Sequence, residues 1–229
     1  MRIDALLPAL NEEASLPGVL APLVGHPLLR RVVVVDNGST DATWAVAAAA
    51  GAVPVWCPWR GYGSACLAGL RRLAGDPPDA VVFLDADGAD DPADLEAVLG
   101  PLVAGTADLV VGSRVLGAAE AGALTPVQRF GNALSCRLMA LAFDARFTDL
   151  GPFRAVTWAG LQRLEMADLD FGWTVEMQAK AARRGLRCAE VPVAYRRRRA
   201  GQSKVSGTVR GSAQAGAKIL WTIGREALR

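Results

Sequence analysis

Short apolar runs rich in Val and Leu recur through the first half of the chain, at 3–7, 31–35, 53–56, 80–84 and 109–111, and helix-like segments at 12–24, 41–50, 64–74 and 92–103 separate them. Continuous runs suit strands buried on both faces, and strands alternating with helices suit a parallel sheet joined by crossovers. Ser39 and Thr40 ahead of Asp41, and Asp91 ahead of Pro92, supply the polar cap and first-turn proline that helix starts favour. The second half is less regular: the pattern predicts a helix over 126–143, a loop over 149–154, a helix over 173–184 and a strand over 186–193. Segment 208–229 is moderately amphipathic, with Arg210, Gln214, Lys218 and Arg225 on one helical face and Val209, Ala213, Leu220 and Ile223 elsewhere. The expected architecture is one α/β domain over 1–207 with a mostly parallel central sheet flanked by helices, and a C-terminal helix that belongs to it or touches a membrane surface.

Composition adds one question. The 229 residues are 52% hydrophobic and 21% charged, which is apolar for a water-soluble domain. Yet no stretch approaches the roughly 20 uninterrupted apolar residues that a membrane-spanning helix needs. The first residues read as a strand interrupted by Asp4 with no cleavage pattern behind it, so the expected location is cytoplasmic, with peripheral contact at the inner face of the membrane left open. Cys57, Cys66, Cys136 and Cys188 form no CxxC pair and have a single histidine, His26, for company, so they read as reduced thiols. His26 itself sits in a Gly-His-Pro turn and reads as a surface residue. A net charge of +2 gives no basis for nucleic-acid binding, but acidic residues dominate 76–96 and basic residues 183–210, as at an anion-handling site or a surface for anionic lipid.

Open parallel sheets place ligands outside the carboxyl ends of their strands. Three polar motifs fall there: Pro8-Ala9-Leu10-Asn11-Glu12-Glu13, Asp36-Asn37-Gly38-Ser39-Thr40-Asp41 and Asp85-Ala86-Asp87-Gly88. Each alone is also what a turn or helix cap looks like. Asp85 and Asp87, leaving the apolar strand that ends at Leu84, can aim two carboxylates at one region. Such charges are costly unless offset, and a hard divalent cation bridging a diphosphate is a natural offset. Arg60-Gly61-Tyr62-Gly63-Ser64-Ala65 precedes a helix, where glycines permit close backbone approach and free amides suit an anion. It lacks the Gly-Lys-Ser/Thr of a Walker loop and stands in the wrong place for a dinucleotide fingerprint.

The ordered set PALNEE, VVVDNGSTD, RGYGSA, FLDADG, GSR, DLGPFRA and RxxGQSK resembles family 2 glycosyltransferases, most closely the dolichyl-phosphate mannose synthase-like and polyprenyl-phosphate glucosyltransferase branch, from Leu7 to about Gly211. The resemblance implies a GT-A fold, a UDP- or GDP-sugar donor, a Mg²⁺ or Mn²⁺ ion, inversion at the anomeric carbon and a polyprenyl phosphate acceptor. It implies that Pro8, Asn11 and Glu12 line the nucleotide pocket, that Asp36 contacts base or ribose, and that Gly61 and Ser64 lie close to the nucleotide. It makes Asp85 the donor-side member of the Asp-x-Asp pair and Asp87 the principal metal ligand. Arg114 and Arg129 resemble residues that receive the acceptor phosphate, and Arg199, Ser203 and Lys204 a loop that closes over the donor diphosphate. One departure is Ala89, where relatives often carry a polar side chain, so Asp90 or water would have to fill in.

An acceptor phosphate is already ionised near neutral pH and attacks without a base, whereas a sugar hydroxyl needs a carboxylate within reach. Glu176 and Asp149 are candidates for that base. Asp149 can equally fix the Gly151-Pro152 turn, and Glu176 can equally pair with an arginine; Arg114, Arg129 and Arg154 suit phosphate or ordinary ion pairs, and motif context favours phosphate for the first two. Three other readings stand beside the lipid-directed transferase: transfer to a soluble hydroxyl acceptor, a nucleotidyltransferase, and a non-catalytic nucleotide-binding protein. The second would carry a Gly-rich loop with Arg after the first strand, where Asn11-Glu12-Glu13 stands.

Overall fold

The computed structural model describes residues 1–198 and 209–228, the side chains of 209–213 excepted. Seven strands form one sheet: β1 (Ile3–Ala9), β2 (Arg31–Asp36), β3 (Val53–Trp56), β4 (Ala80–Phe83), β5 (Leu109–Ser113), β6 (Arg154–Thr157) and β7 (Cys188–Pro192), in the order β3-β2-β1-β4-β6-β5-β7. β6 runs antiparallel to both its neighbours, and all other pairings are parallel. The helices are α1 (Leu16–Leu20), α2 (Thr43–Ala49), α3 (Tyr62–Ala74), α4 (Leu95–Val103), α5 (Pro126–Phe143), α6 (Trp158–Leu164), α7 (Trp173–Arg183) and α8 (Val209–Ala227).

Alternation within the buried strands divides the core. Leu7, Val34 and Val82 join Leu16, Leu20 and Leu99 on one face, while Leu6, Val33 and Phe83 join Leu73 and Trp173 on the other. A third cluster, with Met139 of α5, Val175 of α7 and Ile223 of α8, lies beyond the second layer. The C-terminal helix therefore packs on α5 and α7, with Thr222, Ile223 and Glu226 buried. No described helix is long and apolar enough to cross a membrane. The four cysteines carry free thiols.

The expected strands and most helices are found within a few residues of their predicted positions, and the differences are local. The predicted helix over 12–24 shrinks to α1, because Asn11 adopts φ 54° and its neighbours turn before the helix starts. Asp41 rather than Ser39 or Thr40 holds the first turn of α2, accepting from the Thr43 N–H at 3.0 Å. Asp91 does cap its turn, at 3.2 Å from the Ala93 N–H, but 3₁₀ residues Pro92–Asp94 precede α4. β6, which opens on Arg154, carries no strand pattern of its own in the sequence. That side chain is fully buried, and its guanidinium donates to the carbonyls of Leu150, Gly151 and Thr174 and to Gln178, while burial pulls it down to about 10.

Candidate active site

A cavity of about 420 Å³ opens where β1, β2 and β4 end, the edge to which the three polar motifs were assigned. Pro8 and Glu12 line it from the β1 end, Asn37 from the β2 end, Gly61 and Tyr62 from the start of α3, and Asp85 and Asp87 from the turn after β4. Asp170 and Phe171, between α6 and α7, form the far wall, and Arg198 completes the lining.

The acidic turn has a distinct electrostatic character. Asp87 is buried, with Oδ1 accepting from the Ala89 N–H at 2.8 Å and Oδ2 at 2.8 Å from Arg198 Nη2. Arg198 also reaches Glu12 at 3.5 Å, so one guanidinium spans two strand ends. Asp85 Oδ1 is buried with no hydrogen-bond partner among the described residues. Burial and the adjacent Asp87 push the Asp85 carboxyl up to about 7, against the pull of Arg198 and the Tyr62 hydroxyl. Asp90 does not enter the cavity lining: it folds beneath the turn, accepting from the Asp85 N–H at 3.2 Å, and burial and Asp85 push it well up.

The other residues assigned from sequence divide into those near the cavity and those elsewhere. Asn11 Oδ1 accepts from the Thr40 N–H at 2.8 Å and ties the β1 end to the loop after β2, whereas buried Asp36 Oδ1 accepts from the Ser39 N–H at 2.7 Å and fixes that loop; neither lines the cavity. Gly61 and Gly63 do permit a close approach, but of protein backbone: a Cβ on either would overlap the carbonyl oxygen of Leu169 or Asp168. Ser64, expected close to the nucleotide, is part of the same contact, its N–H and hydroxyl donating to Leu169 O at 2.9 and 3.1 Å.

Arg114 lies against Asp149, with Nε and Nη2 each 2.7 Å from a carboxylate oxygen, and over the Tyr195 ring at 4.9 Å. Asp149 also accepts from the Leu150 N–H at 2.8 Å, so it fixes its own turn rather than standing ready as a base. Arg129 is exposed on the first turn of α5 and does not line the cavity. Glu176 is wholly buried away from the cavity, bonded by the Asp168 N–H at 2.8 Å, Lys180 at 2.9 Å and Arg225 at 3.1 Å; its assignment as a base gives way to the arginine pairing. Arg199, Ser203 and Lys204 lie outside the described residues.

The profile described as Glycosyl transferase family 2 matches residues 4–164. The chain belongs to this family. An uncharacterized glycosyltransferase of Mycobacterium tuberculosis is 41% identical over 211 residues, 92% of each chain. The undecaprenyl-phosphate mannosyltransferase of Micrococcus luteus is 33% identical, over 93% of this chain and 91% of its own, which agrees with the resemblance to the polyprenyl-phosphate branch. Among solved structures, glucosyl-3-phosphoglycerate synthase of M. tuberculosis in complex with Mn²⁺, UDP and glucosyl-3-phosphoglycerate superposes with a TM-score of 0.74 at 29% identity, covering 97% of this chain and 80% of that one. The fold is GT-A, as the resemblance implied.

In this family 2 glycosyltransferase several cavity residues were not singled out from sequence. Asn37 bridges β2 to α3, its amide donating to Trp59 O at 2.6 Å and its Oδ1 accepting from the Gly61 N–H at 2.9 Å. It sits in the quoted DNGS motif and was within reach. Asp170 and Phe171 carry no local signal, because the α6–α7 loop meets the start of α3 only in the tertiary fold. Arg198 is the first residue of the quoted RxxGQSK motif, one position before the arginine assigned to the donor.

Proposed function

We propose that this protein is an inverting, metal-dependent glycosyltransferase that moves a hexose from a nucleoside diphosphate sugar to a polyprenyl phosphate. The observation that carries the reading is the partnerless buried oxygen of Asp85, two residues from Asp87, on the wall of a cavity at the strand ends. Among the described residues no group of three or more His, Cys, Asp or Glu is arranged to hold a metal. A Mg²⁺-like ion needs no such cage, since it takes one or two carboxylates and completes its shell with substrate phosphates and water. Asp85 and Asp87 fit that role, and a bound Mg²⁺ or Mn²⁺ would neutralise charge on the departing diphosphate.

The chain's own groups supply the remaining physics. Arg198, held between Glu12 and Asp87, presents positive charge inside the cavity where a diphosphate would sit. Tyr62 and Phe171 offer ring surface, and Asp170 a carboxylate for hydroxyl groups of a sugar. A phosphate acceptor needs no proton removed, in keeping with the engagement of Asp149 and Glu176 by arginines. The M. luteus relative supports a lipid acceptor.

A soluble acceptor is the second reading, favoured by the similarity to glucosyl-3-phosphoglycerate synthase. Both acceptors present a phosphate group, so one experiment separates them. Purified protein is given labelled UDP- or GDP-hexose with Mn²⁺ and either polyprenyl phosphate or 3-phosphoglycerate. The reading expects label in the solvent-extractable lipid, abolished by EDTA. Product from 3-phosphoglycerate alone would replace the acceptor, and no transfer from any donor would contradict the proposal.

A further inference from the structure

Arg196, Arg197 and Arg198 follow one another on a strap laid against the acidic turn, and each meets a different carboxylate. The strap is pinned through its backbone: the Tyr195 N–H donates to Ala118 O at 3.1 Å, the Arg196 N–H to Ala89 O at 2.8 Å and the Arg197 N–H to Glu120 at 2.9 Å. Arg196 pairs with Asp91 and Arg197 with Glu120, and neither arginine lines the cavity. Arg198 is the one of the three that does, with Nη2 2.8 Å from Asp87 Oδ2 and Nη1 3.5 Å from Glu12.

Asp87 Oδ1 is taken by the Ala89 N–H at 2.8 Å, which leaves Oδ2 as the oxygen for an added cation, and the guanidinium already lies on it. A divalent ion such as Mg²⁺ sits about 2.0–2.1 Å from a carboxylate oxygen and repels a guanidinium held against the same atom. The two cations therefore exclude each other at Oδ2. A bare carboxylate is no alternative, since Asp87 is buried and an unpaired buried charge is costly. Arg198 is also placed to yield. Its side chain is 30% exposed and its contact with Glu12 is long, so the stem can swing while the strap stays pinned behind it. A diphosphate offers it a replacement partner, because a guanidinium forks onto phosphate oxygens.

We propose that Arg198 is a stand-in cation for Asp87, so that a divalent metal binds tightly only once a diphosphate has drawn the guanidinium away. Metal and diphosphate then strengthen each other's binding reciprocally. The inference rests on the reading of Asp85 and Asp87 as metal ligands, and it is tested by binding alone, without turnover. Electron paramagnetic resonance counts free Mn²⁺ in titrations of the full chain, alone and with saturating UDP or GDP, corrected for the Mn²⁺ that the nucleotide itself holds. Arg198→Met is expected to bind Mn²⁺ alone about tenfold or more tightly than the wild type. The nucleotide should tighten Mn²⁺ binding by the wild type, and that gain should shrink in the variant. Arg198→Lys, which keeps a charge without the fork, should lie between the two and replaces the methionine variant if that fails to fold. Asp87→Asn separates this inference from the reading beneath it. If Asp87→Asn abolishes Mn²⁺ binding with nucleotide present, while neither Arg198 variant binds Mn²⁺ alone more tightly than the wild type, the metal site stands and the stand-in is overturned. Mn²⁺ binding that survives Asp87→Asn would remove the metal reading and this inference with it.

Discussion

At Gly63 the start of α3 comes so close to the backbone of Asp168 that no side chain fits between them. Gly63→Ala is expected to cost about 1–3 kcal/mol by overpacking, read from urea denaturation. It should also weaken nucleotide-sugar binding, because the strained neighbours lead directly to Asp170 and Phe171 in the cavity wall. Asp87→Ala should act differently. Removing a carboxylate from an acidic turn leaves the fold intact but abolishes metal-dependent thermal stabilisation by the donor; retained stabilisation would remove Asp87 from the site. The Asp85–Asp87 pair was legible because its meaning lies in local spacing after a strand. For Glu176 and Arg114 an ion pair was legible only as one alternative, because the groups that claim them, Arg225 and Asp149, lie 49 and 35 residues away in sequence.

Between elements, the loop from α6 to α7 is shaped by one carboxylate. Asp168 Oδ1 accepts from the N–H groups of Asp170 and Gly172 at 2.8 and 3.1 Å, and Oδ2 meets Lys218 of α8 at 3.0 Å. Lys218→Met would leave a buried charge without its cation, a cost on the order of 1–2 kcal/mol given the partly exposed lysine. The expected consequence is a several-fold rise in the KM for donor, from a residue outside the cavity; an unchanged KM would show that the wall is held without α8. The same scale explains which elements sequence revealed. The parallel strands announced themselves through continuous Val and Leu runs, whereas β6 has four residues led by an arginine whose charge is satisfied by carbonyls from α7 and the preceding loop. Nothing within those four residues indicates a strand between β4 and β5.

Over the whole molecule, α8 closes a layer that the sheet and its crossover helices leave open. It covers the cluster of Met139, Val175 and Ile223 and supplies Arg225 to the buried Glu176. A chain ending before residue 209 should therefore lose cooperative unfolding, since the cluster around Met139 and Val175 is uncovered and Asp168 and Glu176 lose Lys218 and Arg225, leaving Glu176 with Lys180. Calorimetry showing the same single transition without α8 would refute that. The sheet order gathers the ends of β1, β2 and β4 around one cavity and sets the acidic turn opposite the α6–α7 loop. Anomalous diffraction from crystals grown with Mn²⁺ and a nucleoside diphosphate tests that arrangement most directly. A manganese peak bonded to carboxylate oxygens of Asp85 or Asp87 and to the diphosphate is the predicted result; a diphosphate bound with its manganese elsewhere, and those carboxylates unligated, would contradict it.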